Sequence, residues 1–270
     1  MPELPEIANL AGQMAAELAG KRLTGPEVVQ EKCLNVAGAE FRALVEDKTI
    51  AAVRARGKWI FVSLHPATTL LLNLGMGGEL LYHPAGAALP EKFQARFAFS
   101  DGTALTAAFS WFGYVHTVRA ADLATHKMTA SLGLSPLDVQ DYTYANFLDR
   151  MRGRKGAIKP WLLDQKNIAG IGNVYVQDIL FRTRLHPDRK IPELDETERQ
   201  TLFRVIRENL VQATELGGLV YEKDLYGQPG RFKDFLVGYR EGKPCPVCGT
   251  AVEKIRTGST ASYICPMCQQ

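Results

Sequence analysis

Four cysteines near the end of the chain are spaced for metal chemistry. Cys245, Cys248, Cys265 and Cys268 form two C-x2-C pairs separated by 16 residues, all within the last 26 of 270 positions. Each C-x2-C knuckle can aim two thiolates at one ion, so the four together predict a tetrahedral zinc site. Two disulfides are the competing account. The opening MPELPEIANL lacks the basic-then-apolar order of a secretory signal, so a reducing, cytoplasmic setting is expected and zinc is preferred. The segment Gly242 to Gln270 is too short to bury a core of its own, and one structural Zn2+ is expected to supply most of its folding energy. Cys33 stands apart as a packed or surface thiol.

The N-terminus carries a second chemical possibility. Proline is small enough behind an initiator Met for the Met to be removed, and Pro2 would then hold a secondary amine with a pKa below that of lysine. A neutral amine can attack an electrophilic carbon and form an iminium, with Glu3 and Glu6 flanking it as acid and base groups. On chemistry alone, the plain start of a helix remains the better account of Pro-Glu-Leu-Pro-Glu. A third pattern is Gly170-Ile171-Gly172-Asn173. Two glycines permit a tight turn and Asn173 is a good N-cap for the helix after it. Unpaired amides at such a helix start face phosphate readily, although a plain connection is the commoner meaning. Arg152, Arg154, Lys155 and Lys159 lie just upstream.

These residues need elements to hold them. Ile7, Leu10, Ala11, Met14 and Leu18 recur at helical spacing, predicting an amphipathic helix over Glu6 to Leu18. From about Thr49 to Val118 short runs rich in β-branched and aromatic residues alternate with turn signals at Arg56-Gly57, His65-Pro66, Gly75 to Gly78 and Asp101-Gly102. No helix-length segment interrupts them, so the sheet is antiparallel, a sandwich or barrel. After Leu132 to Asp138 the pattern turns helical: Tyr144 to Met151, Ile158 to Lys166, Val174 to Arg184 and Glu196 to Leu216. The fold class is therefore α+β, with domains expected at 1–131, 132–238 and 239–270.

Composition sets the background. With 46% hydrophobic and 23% charged residues the chain is neither disordered nor fibrous, and no apolar run approaches the roughly 18 residues of a membrane span, so no membrane partner is expected. The net charge of +3 is unevenly placed: residues 1–150 hold 13 Lys and Arg against 15 Asp and Glu, whereas residues 151–270 hold 19 against 14. A basic second half, a glycine turn between helices and a zinc segment point together to nucleic acid.

MPELPE at the terminus, RGKW at Arg56 to Trp59, LGMGG at Leu74 to Gly78, DQKNIAGIGNVY at Asp164 to Tyr175, LHP at Leu185 to Pro187 and the final CPMCQ occur in order. Together they resemble the formamidopyrimidine-DNA glycosylase and endonuclease VIII family over essentially the whole chain. The resemblance implies a β-sandwich with an N-terminal helix, a helix-two-turn-helix domain and a zinc finger, with double-stranded DNA carrying damaged bases or abasic sites in the cleft between the lobes. It implies a monomeric, bacterial-type cytoplasmic enzyme, nucleoid-associated through DNA. Pro2 then matches the nucleophile that attacks C1′, Glu3 the acid that opens the sugar, Glu6 a supporting carboxylate, and Lys58 a phosphate-holding lysine beside the lesion. Asn173, with Gly172, matches the turn that binds backbone phosphate, and Lys155 and Lys159 are expected at DNA. Met76 fits the plug that fills the vacated stack once the base is flipped, with Phe112 as a second wedge. The implied activity is base excision through a Schiff base followed by β- and δ-elimination.

Departures from the family pattern bear on substrate. Ser110 and Trp111 stand where two arginines usually precede the wedge phenylalanine, and Thr260 stands where the finger usually offers another; Arg256 or Lys254 could reach a phosphate instead. Tyr221 to Phe235 occupies the place of the loop that closes over the extruded base. Oxidised purines are favoured narrowly over oxidised pyrimidines. The rival expectation is a lesion- or structure-specific DNA-binding protein with little glycosylase activity; an unrelated zinc-finger transcription factor would leave the N-terminal motif unexplained.

Overall fold

A computed structural model describes residues 1–270. The chain forms two compact units, one of Met1–Ser131 with Thr214–Phe232, the other of Leu132–Ala213 with Lys233–Gln270.

In the first unit, helix α1 (Leu4–Leu18) starts two residues before the expected position. Ile7, Leu10, Ala11, Met14 and Leu18 are all buried, so the helical spacing marks its core face. One four-stranded antiparallel sheet runs in the order β1 (Leu23–Val28), β6 (Ala95–Phe99), β7 (Ala104–Ala108) and β5 (Glu79–His83). The other runs β2 (Thr49–Arg56), β3 (Trp59–His65), β4 (Thr68–Asn73) and β8 (Tyr114–Arg119). Ile60, Val62, Leu70 and Leu72 from the second sheet share a core with Leu80, Phe97 and Leu105 from the first. Each such side chain contributes about 1.5–3 kcal/mol on burial. Strand β1 lies outside the predicted strand region of Thr49 to Val118 and contains Gly25 and Pro26. It lies at a sheet edge and carries a bulge between Leu23 and Gly25, where a proline lacking its N–H is tolerated. Helix α2 (Gly38–Val45) is also additional, with Phe41 and Val45 buried.

Thr214–Phe232 belongs with this unit rather than with 132–238 as expected. Gln13 of α1 receives the Leu225 N–H (2.8 Å) and donates to Asp224 (2.9 Å). Tyr82 N–H donates to the Leu225 carbonyl (2.9 Å), and Lys223 pairs with Glu79 at 2.6 Å. These bonds bridge separations from about 143 to 212 residues and have no local sequence signal.

The second unit is helical, with α3 (Tyr144–Met151), α4 (Ile158–Leu163), α5 (Tyr175–Arg182) and α6 (Glu196–Glu215). Tyr142, Phe147, Trp161 and Phe203 form its aromatic centre. Helix α4 ends three residues earlier than predicted, and Asp164 to Lys166 turn into the glycine connection. The hairpin of β9 (Glu253–Thr257) and β10 (Thr260–Ile264) packs Tyr263 and Cys265 against Phe181, Val237 and Val252. No helix is long and apolar enough to cross a membrane.

Candidate active site and nucleic-acid interface

The N-terminus is held by reciprocal helix capping. Glu6 Oε2 accepts the Glu3 N–H at 2.7 Å while the Glu3 carboxylate receives the N–H of Glu6, completing a capping box at the start of α1. The other oxygen of Glu6 accepts the Leu219 N–H at 3.1 Å. Gly218 beside it has φ +86°, and a Cβ there would lie 2.7 Å from Glu6, so only glycine lets the segment approach. Glu3, Glu6 and Pro2 are buried. Thus the Pro-Glu-Leu-Pro-Glu sequence does start a helix, and in doing so it gathers two buried carboxylates at the second residue. With Met1 attached, the Pro2 nitrogen is an amide; its removal leaves a secondary amine. A third carboxylate, Glu222, lies 3.6 Å from the Met1 nitrogen with 13% of its side chain exposed. Burial pushes its pKa up, the N-terminal ammonium opposes that, and the charge of Glu3 reinforces it. Nothing in the local sequence YEKD distinguishes Glu222 from a solvated acid.

Lys58 sits half-buried in the turn from β2 to β3. Asn73, the last residue of β4, fixes that turn to the loop after β4: its Nδ2 donates to the Lys58 carbonyl (2.9 Å) and its Oδ1 accepts from Gly75 N–H (3.0 Å). Behind Lys58, Trp59 packs with Tyr114, His116 and His126. His116 Nδ1 and His126 Nε2 are 2.9 Å apart, and His126 meets Thr129 at 2.8 Å. Burial, and secondarily the neighbouring His126, pushes the His116 pKa down to about 4.

The loop after Asn73 carries Met76, and it pairs with the turn bearing Trp111 and Phe112. Met76 N–H donates to the Trp111 carbonyl (2.9 Å), and the Met76 carbonyl receives Ser110 N–H (3.1 Å). Gly75 takes φ +56°, and a Cβ there would collide with the Trp111 carbonyl. The paired loops present Met76, Trp111 and Phe112 at 44%, 66% and 66% exposure. Phe112 itself has φ +56°, a strained conformation for an aromatic residue. Sequence reading named Met76 and Phe112 but treated Trp111 only as a missing arginine.

In the second unit, the side chain of Gln165 organises the glycine connection, accepting from Gly170 N–H (2.8 Å) and donating to the Ile171 carbonyl (2.9 Å). Helix α5 begins at Tyr175 with Val174 as N-cap and no side-chain capping bond. The cap expected at Asn173 is therefore displaced by one residue. Gln177 Nε2 instead donates to the Asn173 carbonyl (2.8 Å) and to its side-chain oxygen (3.2 Å). Gln177 also reaches the hairpin, donating to Ala261 (3.2 Å) and accepting from Tyr263 N–H (3.0 Å). Asp178 receives the N–H groups of Leu236, Val237 and Gly238. The Asn173 turn and the cysteine-bearing hairpin are thus one assembly.

Lys159 is corrected from its expected place at DNA. It is fully buried, and its Nζ donates to the Ala261 carbonyl and to Ser262 Oγ, fastening α4 to β10. Burial lowers its pKa to about 8, with Asp188 opposing. Lys155, Arg152 and Arg154 remain exposed, as do Arg256, whose Nε donates to Gly258, and Lys254, which pairs loosely with Glu241 at 3.8 Å.

The sulfurs of Cys245, Cys248, Cys265 and Cys268 all lie within 4.8 Å of one another, with Cys245 to Cys268 at 3.9 Å and Cys248 to Cys265 at 3.4 Å. A tetrahedron with Zn–S bonds of about 2.3 Å has edges of about 3.8 Å, so the set fits zinc. The spacing is far above a disulfide's, and all four thiols are free.

Comparison with known proteins agrees with this arrangement. Residues 1–109 match the formamidopyrimidine-DNA glycosylase N-terminal domain, 132–223 its H2TH domain, and 242–270 a zinc finger found in FPG and IleRS. The formamidopyrimidine-DNA glycosylase of Pelotomaculum thermopropionicum is 37% identical over 276 residues, covering 100% of this chain and 99% of the relative. The crystal structure of Lactococcus lactis Fpg (MutM) with DNA containing N7-benzyl-Fapy-dG superimposes with a TM-score of 0.91 at 25% identity, covering 100% of both chains. A complex of the same Lactococcus protein with DNA containing an abasic site gives 0.90 at 25% identity, covering 99% of each.

Proposed function

Because this chain belongs to the formamidopyrimidine-DNA glycosylase family of DNA-repair glycosylases, we propose that it excises oxidised bases and then cleaves the resulting abasic site through a Schiff base on Pro2. The observation that carries this reading is the bonding around Glu6, which draws Glu3 and the Leu219 segment onto the N-terminus. With Met1 removed, Pro2 attacks C1′ of the damaged nucleotide as a secondary amine. Glu3 supplies the proton that opens the sugar ring, and Glu6 keeps Glu3 in register. Lys58, on a turn fixed by Asn73, neutralises phosphate beside the lesion. Met76 and Phe112 occupy the gap left by the extruded base. β- and δ-elimination then release the sugar.

The second unit grips the backbone through the Gly172-Asn173 turn, with Lys155 and Arg256 as exposed cations. One structural zinc, held by the four cysteines, supplies the folding energy of the hairpin and no step of the chemistry. The protein acts as a monomer on double-stranded DNA in the bacterial cytoplasm.

Borohydride trapping on duplex DNA with an abasic site tests the reading. A covalent adduct is expected from protein whose N-terminal mass shows Met1 removed, and Pro2→Gly should abolish it. Intact DNA binding without any adduct would instead favour the binding-protein alternative, which Ser110, Trp111 and Thr260 in the places of three arginines otherwise recommend.

A further inference from the structure

Met1 shows where a nucleotide joined to Pro2 would lie. Its carbonyl carbon is trigonal and bonded to the Pro2 nitrogen in a planar amide, and a Schiff base places C1′ on that nitrogen in the same planar geometry. The carbonyl carbon therefore stands in for C1′. Its one carbon substituent, the Met1 Cα, stands in for C2′, and the Met1 nitrogen for an atom attached to C2′. That nitrogen is 3.6 Å from Glu222 Oε1.

We propose that Glu222 is the base that takes the C2′ proton in β-elimination, an assignment that rests on the Schiff-base reading above. The carboxylate removes the proton, the C–H pair forms C1′=C2′, and the C1′=N pair returns to nitrogen. The resulting enamine re-forms the iminium while C2′=C3′ is made. The C3′–O bond breaks and the 3′ phosphate departs with its electron pair. No further reactant is needed.

The surroundings suit the role. Glu222 is largely withdrawn from solvent, and its carbonyl receives Gly230 N–H (3.1 Å) while its own N–H donates to Leu219 (3.0 Å). Its neighbours are turned elsewhere: Lys223 pairs with Glu79, and Asp224 with Gln13. The charged groups facing it are the N-terminal amine and Glu3. Burial makes it a stronger base than a surface carboxylate. Glu3 and Glu6, by contrast, are engaged at backbone N–H groups of the capping box.

The test uses the full chain with Met1 removed, in single turnover on duplex DNA carrying a preformed abasic site. Glu222→Gln should still give the borohydride-trapped adduct but nick the strand about 100-fold more slowly or worse. Glu222→Asp, which retains the charge on a shorter arm, should recover part of the rate. Deuterium at C2′ should slow Glu222→Gln by a larger factor than the wild type, because proton removal has become limiting. Nicking by Glu222→Gln at the wild-type rate overturns the assignment while leaving the Schiff base standing, and slowing without a larger isotope effect overturns it as well. Absence of an adduct from the wild type removes the Schiff-base reading itself, and this assignment with it.

Discussion

Glu6 in the first unit and Lys159 in the second are both buried charges that fasten a distant segment to a helix. Glu6 receives two backbone N–H groups, and the segment it holds is also fixed by Gln13, Tyr82 and Glu79 and buries Leu225 in the main core. Lys159 donates to Ala261 and Ser262 of a hairpin whose apolar contacts amount to a handful of residues around Tyr263. The same device therefore works under different guarantees. In the first unit packing holds the segment and the charge sets its register; in the second, where apolar packing is sparse, the lysine works beside a four-cysteine site suited to a metal.

Metal removal should widen that difference most. Apparent zinc binding in small finger domains is worth about 10–16 kcal/mol, so chelation should abolish hydrogen-exchange protection over residues 242–270 and weaken DNA binding at least tenfold. Residues 1–131 should keep their protection, and a loss spread evenly over both units would break the comparison.

Acid should act on the first unit instead. An unfolded histidine titrates near 6.5, whereas burial holds His116 at about 4 in the folded state. As the pH falls from 6.5 towards 4 the unfolded chain takes up a proton that the folded chain refuses, so stability is lost, and the loss levels off below 4. Between pH 7 and 5 this amounts to about 2 kcal/mol. Denaturant titrations of the wild type and His116→Phe should differ by that slope, and equal slopes would remove the histidine pair from the account.

The smallest effect separates two lysines four residues apart. Lys155→Ala should weaken DNA binding by about 1 kcal/mol and reduce the slope of log K against log salt by about one. Lys159→Ala should leave the salt slope unchanged and loosen the hairpin, seen as faster exchange in β10. A slope change of the same size at Lys159 would return it to the DNA surface.

The elements were legible wherever periodicity is local. The apolar positions of α1, the strand runs of the sandwich and the cysteine knuckles all declare themselves within a few residues. Strand β1, outside the Thr49 to Val118 run, contains Gly25 and Pro26, which an edge strand tolerates and a turn also uses. Lys159 looked like its exposed neighbours because its partners, Ala261 and Ser262, lie about a hundred positions away. The same distance effect concealed the transfer of Thr214–Phe232 to the first unit and the approach of Glu222 to the N-terminus. Pro2, Glu3 and Glu6 stood out through the resemblance and their position at the terminus, but the tie from Glu6 to Leu219 is a fact of the folded chain alone.

That tie gives the N-terminus a timetable. Pro2 is buried in the finished unit, and the segment Thr214–Phe232, which reaches the Met1 nitrogen through Glu222 and Glu6 through Leu219, is among the later parts of the chain to be synthesised. At about 5–20 residues per second, roughly 10–40 s pass between the emergence of the first residues and the arrival of that segment. Any removal of the initiator methionine finds the bond to Pro2 most open in the nascent chain, before Pro2 is buried. A molecule that misses this interval would keep an exposed Met1 ahead of a buried Pro2, with an amide where the amine should be.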